Sequence, residues 1–328
     1  MSIPKGGNVL AYQHKEFEAV TIQDVLVAYK TYAQAEGKSP KTVEWATSGV
    51  RYFADFLGPD RQEVAGTTGD DLRRFIIDLQ GRHKFSHHPH QRPQQAKLSP
   101  ETIANYGRAV KNFFGFLQRE GFIETNPMER VKLPKVPETI VPTFSQKEVE
   151  RLLAQPDKNS NQGFRNFAIL LTFYDTGIRL SELTELKASD VDYEQNLLKV
   201  MGKGNRQRYI PFGRRAAKVL MKYQLKYRPE PMGTDNFFLR HDGRPVKDKA
   251  IQGLISAYGK KAGLERCYAH KLRHTSAVAY LRNGGDVFSL QRKLGHRSLA
   301  MTRRYSNLAD TDVRDSHLKH SPGDQLGL

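Results

Sequence analysis

A tyrosine near the end of the chain follows a series of basic side chains, and this order suggests chemistry at a phosphate. In chain order the basic residues are Arg179, Lys203, His270, Arg273 and His296, and the tyrosine is Tyr305. A phosphodiester repels nucleophiles, so an enzyme that lacks a metal must surround the non-bridging oxygens with positive charge and hydrogen-bond donors. A phenol has a reference pKa of about 10, and neighbouring cations favour its ionised form. The pattern therefore indicates an oxygen nucleophile aimed at a phosphate.

Two arginines are the side chains best suited to stabilise charge on that phosphate. A guanidinium is always protonated and can bind two oxygens at once, so we predict that Arg179 and Arg273 contact the non-bridging oxygens. The alternative for Arg179 is an ion pair on a helix surface with Glu182, one turn away. Glu182 could orient Arg179 or a nearby histidine, but glutamate is also common early in helices, where it stabilises the dipole.

Three histidines accompany these arginines. His270 and Arg273 are three residues apart and share a face on a helix, with His274 nearby. We expect His270 to assist proton transfer, because an imidazole titrates near neutrality, and His296 to donate a hydrogen bond to the phosphate. For His274, packing within the helix is the simpler interpretation. A zinc site built from the three histidines would lack an Asp, Glu or Cys ligand at suitable spacing, and Arg273 would repel the ion. We predict no metal and no cofactor.

Other phenols compete with Tyr305 for the role of nucleophile. They are Tyr193, Tyr209, Tyr268 and Tyr280. Tyr209 and Tyr280 fall in apolar patterns that are typical of a core. Tyr305 follows a pair of arginines in a polar stretch, where a side chain can be presented to a substrate.

The composition favours a polyanionic partner. The 328 residues include 52 Lys and Arg against 35 Asp and Glu, a net charge of +17. Such a surplus promotes binding to nucleic acid through phosphate neutralisation and counterion release. No run of 18 apolar residues predicts a membrane span, and residues 1–13 lack the apolar core of a signal peptide. The single cysteine, Cys267, rules out an intramolecular disulfide and fits a reducing cytosol. We expect a cytoplasmic, nucleoid-associated protein.

Helices must dominate the first part of the chain. Four apolar stripes of helical period begin at capping residues, two of them Ser-Pro pairs, and end at glycines. The predicted helices run from Thr21 to Gly37, Ser39 to Gly58, Thr68 to Gly81 and Ser99 to Gly121. The segment 82–97, rich in His, Gln and Pro, is predicted to be a solvated, mobile loop whose basic side chains could touch a DNA backbone.

A proline-rich stretch divides the chain, and mixed elements follow it. Residues 133–142 hold three prolines and no helical stripe. Short apolar stretches at 197–201 and 208–212 flank Gly-Lys-Gly-Asn and predict a β-hairpin with Lys203 near its tip. The predicted fold is mainly α with a small antiparallel sheet (α+β), in two domains. The segments are a flexible N-terminus (1–18), a helical domain (19–133), a linker (134–142), a second domain (143–310) and a tail (311–328).

Five motifs in order resemble the tyrosine recombinases, or phage integrase family. They are Thr-Gly-Ile-Arg-Leu-Ser-Glu-Leu at 176–183, Gly-Lys-Gly-Asn at 202–205, His-Lys-Leu-Arg-His at 270–274, Leu-Gly-His at 294–296 and Thr-Arg-Arg-Tyr at 302–305. The resemblance covers the whole second domain, and the first domain is similar to the core-binding domain of that family. It implies a catalytic domain in which Lys203 protonates the leaving 5′ oxygen and Tyr305 forms a 3′-phosphotyrosyl link. From spacing alone, Lys203 could equally be a solvated turn lysine.

The resemblance also implies the partners of the protein. They are double-stranded DNA with specific recombination sites and three further copies of the chain, in a homotetramer whose tails pack on neighbouring subunits. The motifs identify no accessory protein and no DNA sequence. Three alternatives remain: a type IB topoisomerase that acts as a monomer, a DNA-binding regulator that does not cleave, and a basic RNA-binding protein.

Overall fold

The chain forms two compact units, Met1–Glu138 and Thr139–Leu328. Within the described residues no helix is long and apolar enough to cross a membrane. The computed structural model describes residues 20–84, 94–137, 142–202, 206–296, 298–299, 301–302, 305, 317 and 321–326.

The first unit is built from four helices whose starts match the capping signals. They are α1 (Ile22–Ala35), α2 (Pro40–Leu57), α3 (Gly69–Gly81) and α4 (Pro100–Arg119). Thr21 and Thr68 each close a capping box with an aspartate three residues on, and Ser39 and Ser99 cap helices that open with proline. Burial of the apolar stripes of all four helices forms one core rich in phenylalanine. The predicted helices are confirmed.

The second unit holds the remaining named α-helices around a separate core. They are α5 (Gln146–Ala154), α6 (Asn161–Thr176), α7 (Leu180–Glu185), α8 (Arg214–Lys222), α9 (Asp248–Lys261), α10 (Ala269–Arg282) and α11 (Val287–Leu294). Helix α6 is apolar on nearly every side and is buried along most of its length. Cys267 is also buried, and a Cβ at Gly259 would lie 2.1 Å from the Cβ of Cys267. Only glycine therefore fits where α9 passes this thiol.

A three-stranded antiparallel sheet completes the second unit. Its strands are β1 (Val191–Asp192), β2 (Leu197–Gly202) and β3 (Arg206–Pro211), paired in the order β1-β2-β3. Val200 lies opposite Arg208 in the register. The predicted hairpin and the mainly helical α+β fold class are confirmed. The tip that carries Lys203 lies outside the described residues.

Two expectations about single segments need correction. Tyr209 was expected in the core but is 55% exposed, because it faces solvent on β3 while the next residue, Ile210, is buried. The segment predicted as a mobile loop is paired at its base, where His83 bridges Lys97 and the Lys84 N–H donates to Ala96 O at 2.8 Å. Residues 85–93 of that segment lie outside the described part, as do residues 1–19, which include the whole predicted N-terminus (1–18).

Candidate active site

Three chain segments meet at a tight junction that positions the predicted site. Helix α6 ends at Gly177 in a left-handed conformation (φ 64°), which glycine adopts without steric cost. A Cβ there would lie 3.0 Å from the Leu294 side chain at the end of α11 and 3.3 Å from the Ser276 hydroxyl of α10. This close approach brings the start of α7, the inner face of α10 and the end of α11 together.

Arg273 occupies the centre of the junction. It lies on α10 and is 2% exposed. Its guanidinium donates to Gly177 O at 2.5 Å and Leu294 O at 2.6 Å, and Nη2 lies 3.5 Å from Nε2 of His296. In the described part of the chain these hydrogen-bond partners are uncharged or weakly basic, and none is a carboxylate. Burial, then the charge of Arg179, lowers the pKa of Arg273 to about 10. The residue stays protonated at neutral pH, so an anionic ligand would reduce the free-energy cost of burying its charge.

Arg179 caps the first turn of α7 and shares a carboxylate with a second arginine. Glu182 is 3% exposed and accepts the Arg179 backbone N–H at 2.8 Å and Nη1 at 2.8 Å. Arg208 of β3 donates hydrogen bonds to both oxygens of Glu182, from Nη1 to Oε1 and from Nη2 to Oε2 at 2.9 Å. Burial alone would raise the pKa of Glu182, but the hydrogen bonds and charge of the two arginines outweigh burial and hold it below its usual value. Glu182 is therefore a stable anion.

The histidines line the same junction in their neutral forms. His296 follows Gly295, and its Nδ1 lies 2.9 Å from the hydroxyl of the buried Thr302. Burial, reinforced by the charges of Arg273 and other nearby arginines, lowers the pKa of His296 to about 4. Burial, followed by the charges of Arg273 and Arg179, also lowers the pKa of His270. Both imidazoles are therefore uncharged at neutral pH.

Tyr305 lies among these histidines. Its ring centroid is 5.3 Å from that of His274 and 6.0 Å from that of His296, whose plane is nearly parallel. The ring of His270 in turn lies 4.4 Å from that of His274. Tyr305 is only 5% exposed, because it packs in a small apolar cluster formed by α10 and α11. Although Tyr305 follows a pair of arginines in the sequence, its side chain is buried in the described conformation.

The structure thus brings together most of the predicted site residues. Arg179, Glu182, His270, Arg273, His296 and Tyr305 converge, whereas Lys203 lies outside the described residues. Within the described residues, no group of three His, Cys, Asp or Glu side chains is arranged to hold a metal. Three guanidiniums and one carboxylate leave two net positive charges in the described cluster.

Sequence reasoning missed three contributors to the site. Arg208 pairs with Glu182, which is 26 positions away in the chain, and no local sequence pattern predicts that pairing. Thr302 precedes Tyr305 by three residues, and this helical spacing was a usable signal that the two share a face. His274, interpreted as simple packing, lies between His270 and Tyr305.

Comparison with known proteins agrees with the motifs and the geometry. The phage integrase family matches residues 142–312. The chain is 31% identical to the tyrosine recombinase XerC of Oceanobacillus iheyensis, over 89% of this chain and 93% of that protein. It is 29% identical to the tyrosine recombinase XerD of Listeria innocua, over 88% and 94%.

Solved structures share the fold at lower sequence identity. The XerH site-specific recombinase bound to a palindromic difH substrate superposes with a TM-score of 0.69 at 18% identity, over 93% of this chain and 85% of that chain. The Tn1549 transposon integrase in complex with transposon right end DNA gives 0.69 at 18%, over 87% and 94%. The family match and the relatives define the class of a DNA recombinase that uses a tyrosine. The chain belongs to the phage integrase family, and it is a site-specific tyrosine recombinase.

Proposed function

We propose that this recombinase cuts and rejoins duplex DNA through a 3′-phosphotyrosyl intermediate on Tyr305. The observation that carries the proposal is the position of Tyr305, whose ring packs beside His274 and His296 next to the buried cation Arg273. The buried Arg273 has no carboxylate among its hydrogen-bond partners in the described residues, so a backbone phosphate supplies the charge that the cluster lacks.

The reaction is a displacement at phosphorus. The Tyr305 oxygen forms a bond to the scissile phosphorus as the bond from phosphorus to the 5′ oxygen breaks. The phenolic proton leaves toward the histidine cluster, where His270 is the proposed acceptor, and Lys203 is the proposed donor to the 5′ oxygen. Attack by a 5′ hydroxyl, from the same or a partner duplex, reverses these bonds and restores the phenol. The phosphodiester energy is conserved, so the step needs no nucleotide.

Charge complementarity supports this assignment. A phosphodiester carries one negative charge and an attacking phenolate a second, so the transition state approaches a dianion. The described cluster carries two net positive charges, from Arg179, Arg208 and Arg273 against Glu182. Preorganised donors that contact the phosphate directly, as proposed for Arg179 and Arg273, contribute roughly 3–4 kcal/mol each to transition-state stabilisation. His296, neutral at pH 7, is assigned as a hydrogen-bond donor to a non-bridging oxygen.

The partners are proposed from the same chemistry and from the relatives. The XerH structure contains a difH substrate and the Tn1549 integrase structure contains transposon end DNA. For this chain we propose specific duplex sites and a homotetramer in which the tail, residues 311–328, packs on a neighbouring subunit. The biological task is integration, excision or resolution of a DNA element, carried out in the cytoplasm at the nucleoid.

A nicked suicide duplex tests the proposed function. Duplexes that bind the full-length protein are first selected from a random pool, and nicks are then placed along the selected sequence. Wild-type protein should trap as a covalent band on denaturing gels, with or without EDTA, and peptide mapping should locate the DNA on Tyr305. Tyr305→Phe should bind DNA equally well and give no band. An adduct retained by Tyr305→Phe would show that another nucleophile acts.

A further inference from the structure

Arg208 reaches from β3 into the proposed active site, although the reaction assigns it no direct part. Its side chain is 14% exposed and its two Nη atoms grip the two oxygens of Glu182. Its Nε donates to the Lys293 carbonyl near the end of α11 at 3.4 Å. One guanidinium therefore ties β3 to α7 and to the segment that precedes His296.

The gripped carboxylate is the one that holds Arg179. Glu182 accepts the Arg179 backbone N–H and its Nη1, each at 2.8 Å. The side chain of Arg179 is 35% exposed, so the long side chain would sample several rotamers without a fixed partner. Because Glu182 is itself buried, two fork-like contacts from Arg208 fix the orientation in which it presents an oxygen to Arg179.

Charge gives a second reason for the arginine. A Glu182–Arg179 pair alone would be neutral, and Arg179 would bring no net charge to a phosphate. With Arg208 the same carboxylate is shared by two guanidiniums, and the triad keeps one positive charge. Lysine at this position would supply the charge without the planar fork.

Gly295 shows how closely Arg208 is fitted. A Cβ at Gly295 would lie 2.9 Å from Cδ and 3.1 Å from Nε of Arg208, and Arg179 Nη2 donates to the Gly295 carbonyl at 3.3 Å. Both arginines thus pass over the residue immediately before His296. The arrangement couples the two guanidiniums through one glycine and one carboxylate.

We propose that Arg208 is a positioning residue for DNA cleavage, which orients Glu182 so that Arg179 is held, and left charged, for the scissile phosphate. The proposal rests on the proposed function, because that function places Arg179 at the phosphate. Arg208 acts through Glu182 and Arg179, so its effect must disappear when Arg179 is absent or when the phosphate carries no charge.

The test measures the rate at which full-length protein forms the covalent adduct on the selected nicked duplex. Arg208→Gln should slow the adduct by about 10–100-fold, less than the roughly 100–1,000-fold expected for a direct donor, while DNA binding stays within about threefold. Arg208→Lys should recover part of the rate. Arg179→Ala combined with Arg208→Gln should be no slower than Arg179→Ala, within about threefold. Arg240→Gln, which removes an arginine paired with Asp242 at 3.1 Å elsewhere in the unit, is the matched control and should cleave normally.

A methylphosphonate at the scissile position separates positioning from general disruption. The neutral phosphorus has no charge for Arg179 to neutralise, so Arg208→Gln and wild type should react at similar rates. The inference is overturned if Arg208→Gln cleaves the ordinary duplex at the wild-type rate, if its defect multiplies that of Arg179→Ala, or if the defect persists in full on methylphosphonate. Absence of any wild-type adduct at Tyr305 would instead overturn the proposed function, and the inference with it.

Discussion

His296 is an uncharged ring in a cationic cluster, and this fixes what it can do. With a pKa lowered to about 4 by burial and then by Arg273, it carries one ring proton at neutral pH. The nitrogen that holds this proton decides whether His296 can donate to a phosphate. Thr302 contacts Nδ1 at 2.9 Å, and a hydroxyl can either donate or accept. In the described structure Nε2 faces Nη2 of Arg273, which can only donate, so that contact places the ring proton on Nδ1, from which it is donated to Thr302. Donation to a phosphate requires the other tautomer, in which Arg273 has turned to the phosphate, Thr302 donates to Nδ1 and Nε2 carries the proton.

Loss of the Thr302 hydroxyl should therefore impair cleavage through His296. Thr302→Val leaves a buried nitrogen without its partner, which costs about 1–3 kcal/mol, and we expect adduct formation to slow about tenfold. Thr302→Ser should restore most of the rate. In a His296→Ala background the valine substitution should have almost no further effect. A full additional loss in that background would assign Thr302 to packing alone.

The low pKa of His296 also predicts how stability depends on pH. The folded pKa of about 4 lies below the ordinary value of 6.5, so between these pH values the unfolded chain binds a proton that the folded chain does not. The free energy of unfolding should fall as pH drops through this window, by on the order of 2–3 kcal/mol. His270, whose pKa is also lowered, acts in the same direction. Urea unfolding at pH 7.5 and pH 5 measures the difference, and His296→Gln should shrink it. An unchanged difference would contradict the assignment.

Among the elements, the end of α11 carries the tightest constraint. Gly295 has φ 64° and also faces the Arg208 side chain, so it needs both backbone freedom and the lack of a Cβ. This helix end places His296 and supplies the Leu294 carbonyl to Arg273. Helix geometry and the site are therefore coupled at one residue.

Comparison of two glycines separates those needs. Gly295→Ala should lose about 1–2 kcal/mol of unfolding free energy to the left-handed backbone, and more as Arg208 is displaced. Gly263→Ala is the matched control, since Gly263 has φ 68° and no atom within 4 Å of its added Cβ. Only Gly295→Ala should also slow adduct formation. If the two variants lost equal stability and cleaved at equal rates, the Arg208 side chain would have moved away from the added methyl group of Gly295→Ala without cost.

The elements also show which interactions are readable from the sequence. Helix starts such as Thr21 and Ser99 were predictable, because caps and apolar stripes depend on neighbours within four residues. The convergence of Arg179, Arg273 and Tyr305 followed from the motifs. The contact of Arg208 with Glu182 did not, because it depends on how β3 packs against α7. The burial of Tyr305 was missed for the same reason, since α10 and α11 supply its surroundings.

For the whole molecule, charge is the dominant property. The net charge of +17 should make DNA binding depend steeply on salt. If six to ten phosphates are contacted, affinity should fall by roughly 1,000–100,000-fold between 50 and 200 mM salt. Fluorescence anisotropy with a selected duplex measures this slope. Tyr305→Phe should give the same slope, because the substitution removes no cationic side chain. A shallow slope would show that the positive charge lies away from the DNA.

The buried Cys267 has a practical consequence for labelling. Burial raises the pKa of its thiol to about 11, so fewer than about one thiol in a thousand is ionised at neutral pH. The folded protein should accordingly react slowly with maleimide dyes, whereas protein in urea should react at once. A cysteine introduced at the half-exposed Met201, beside the β2–β3 turn, would then be the preferred attachment point for a fluorophore. The fluorescence of such a probe would report a change in the environment of the β2–β3 hairpin when DNA binds, and Cys267 would not first have to be replaced.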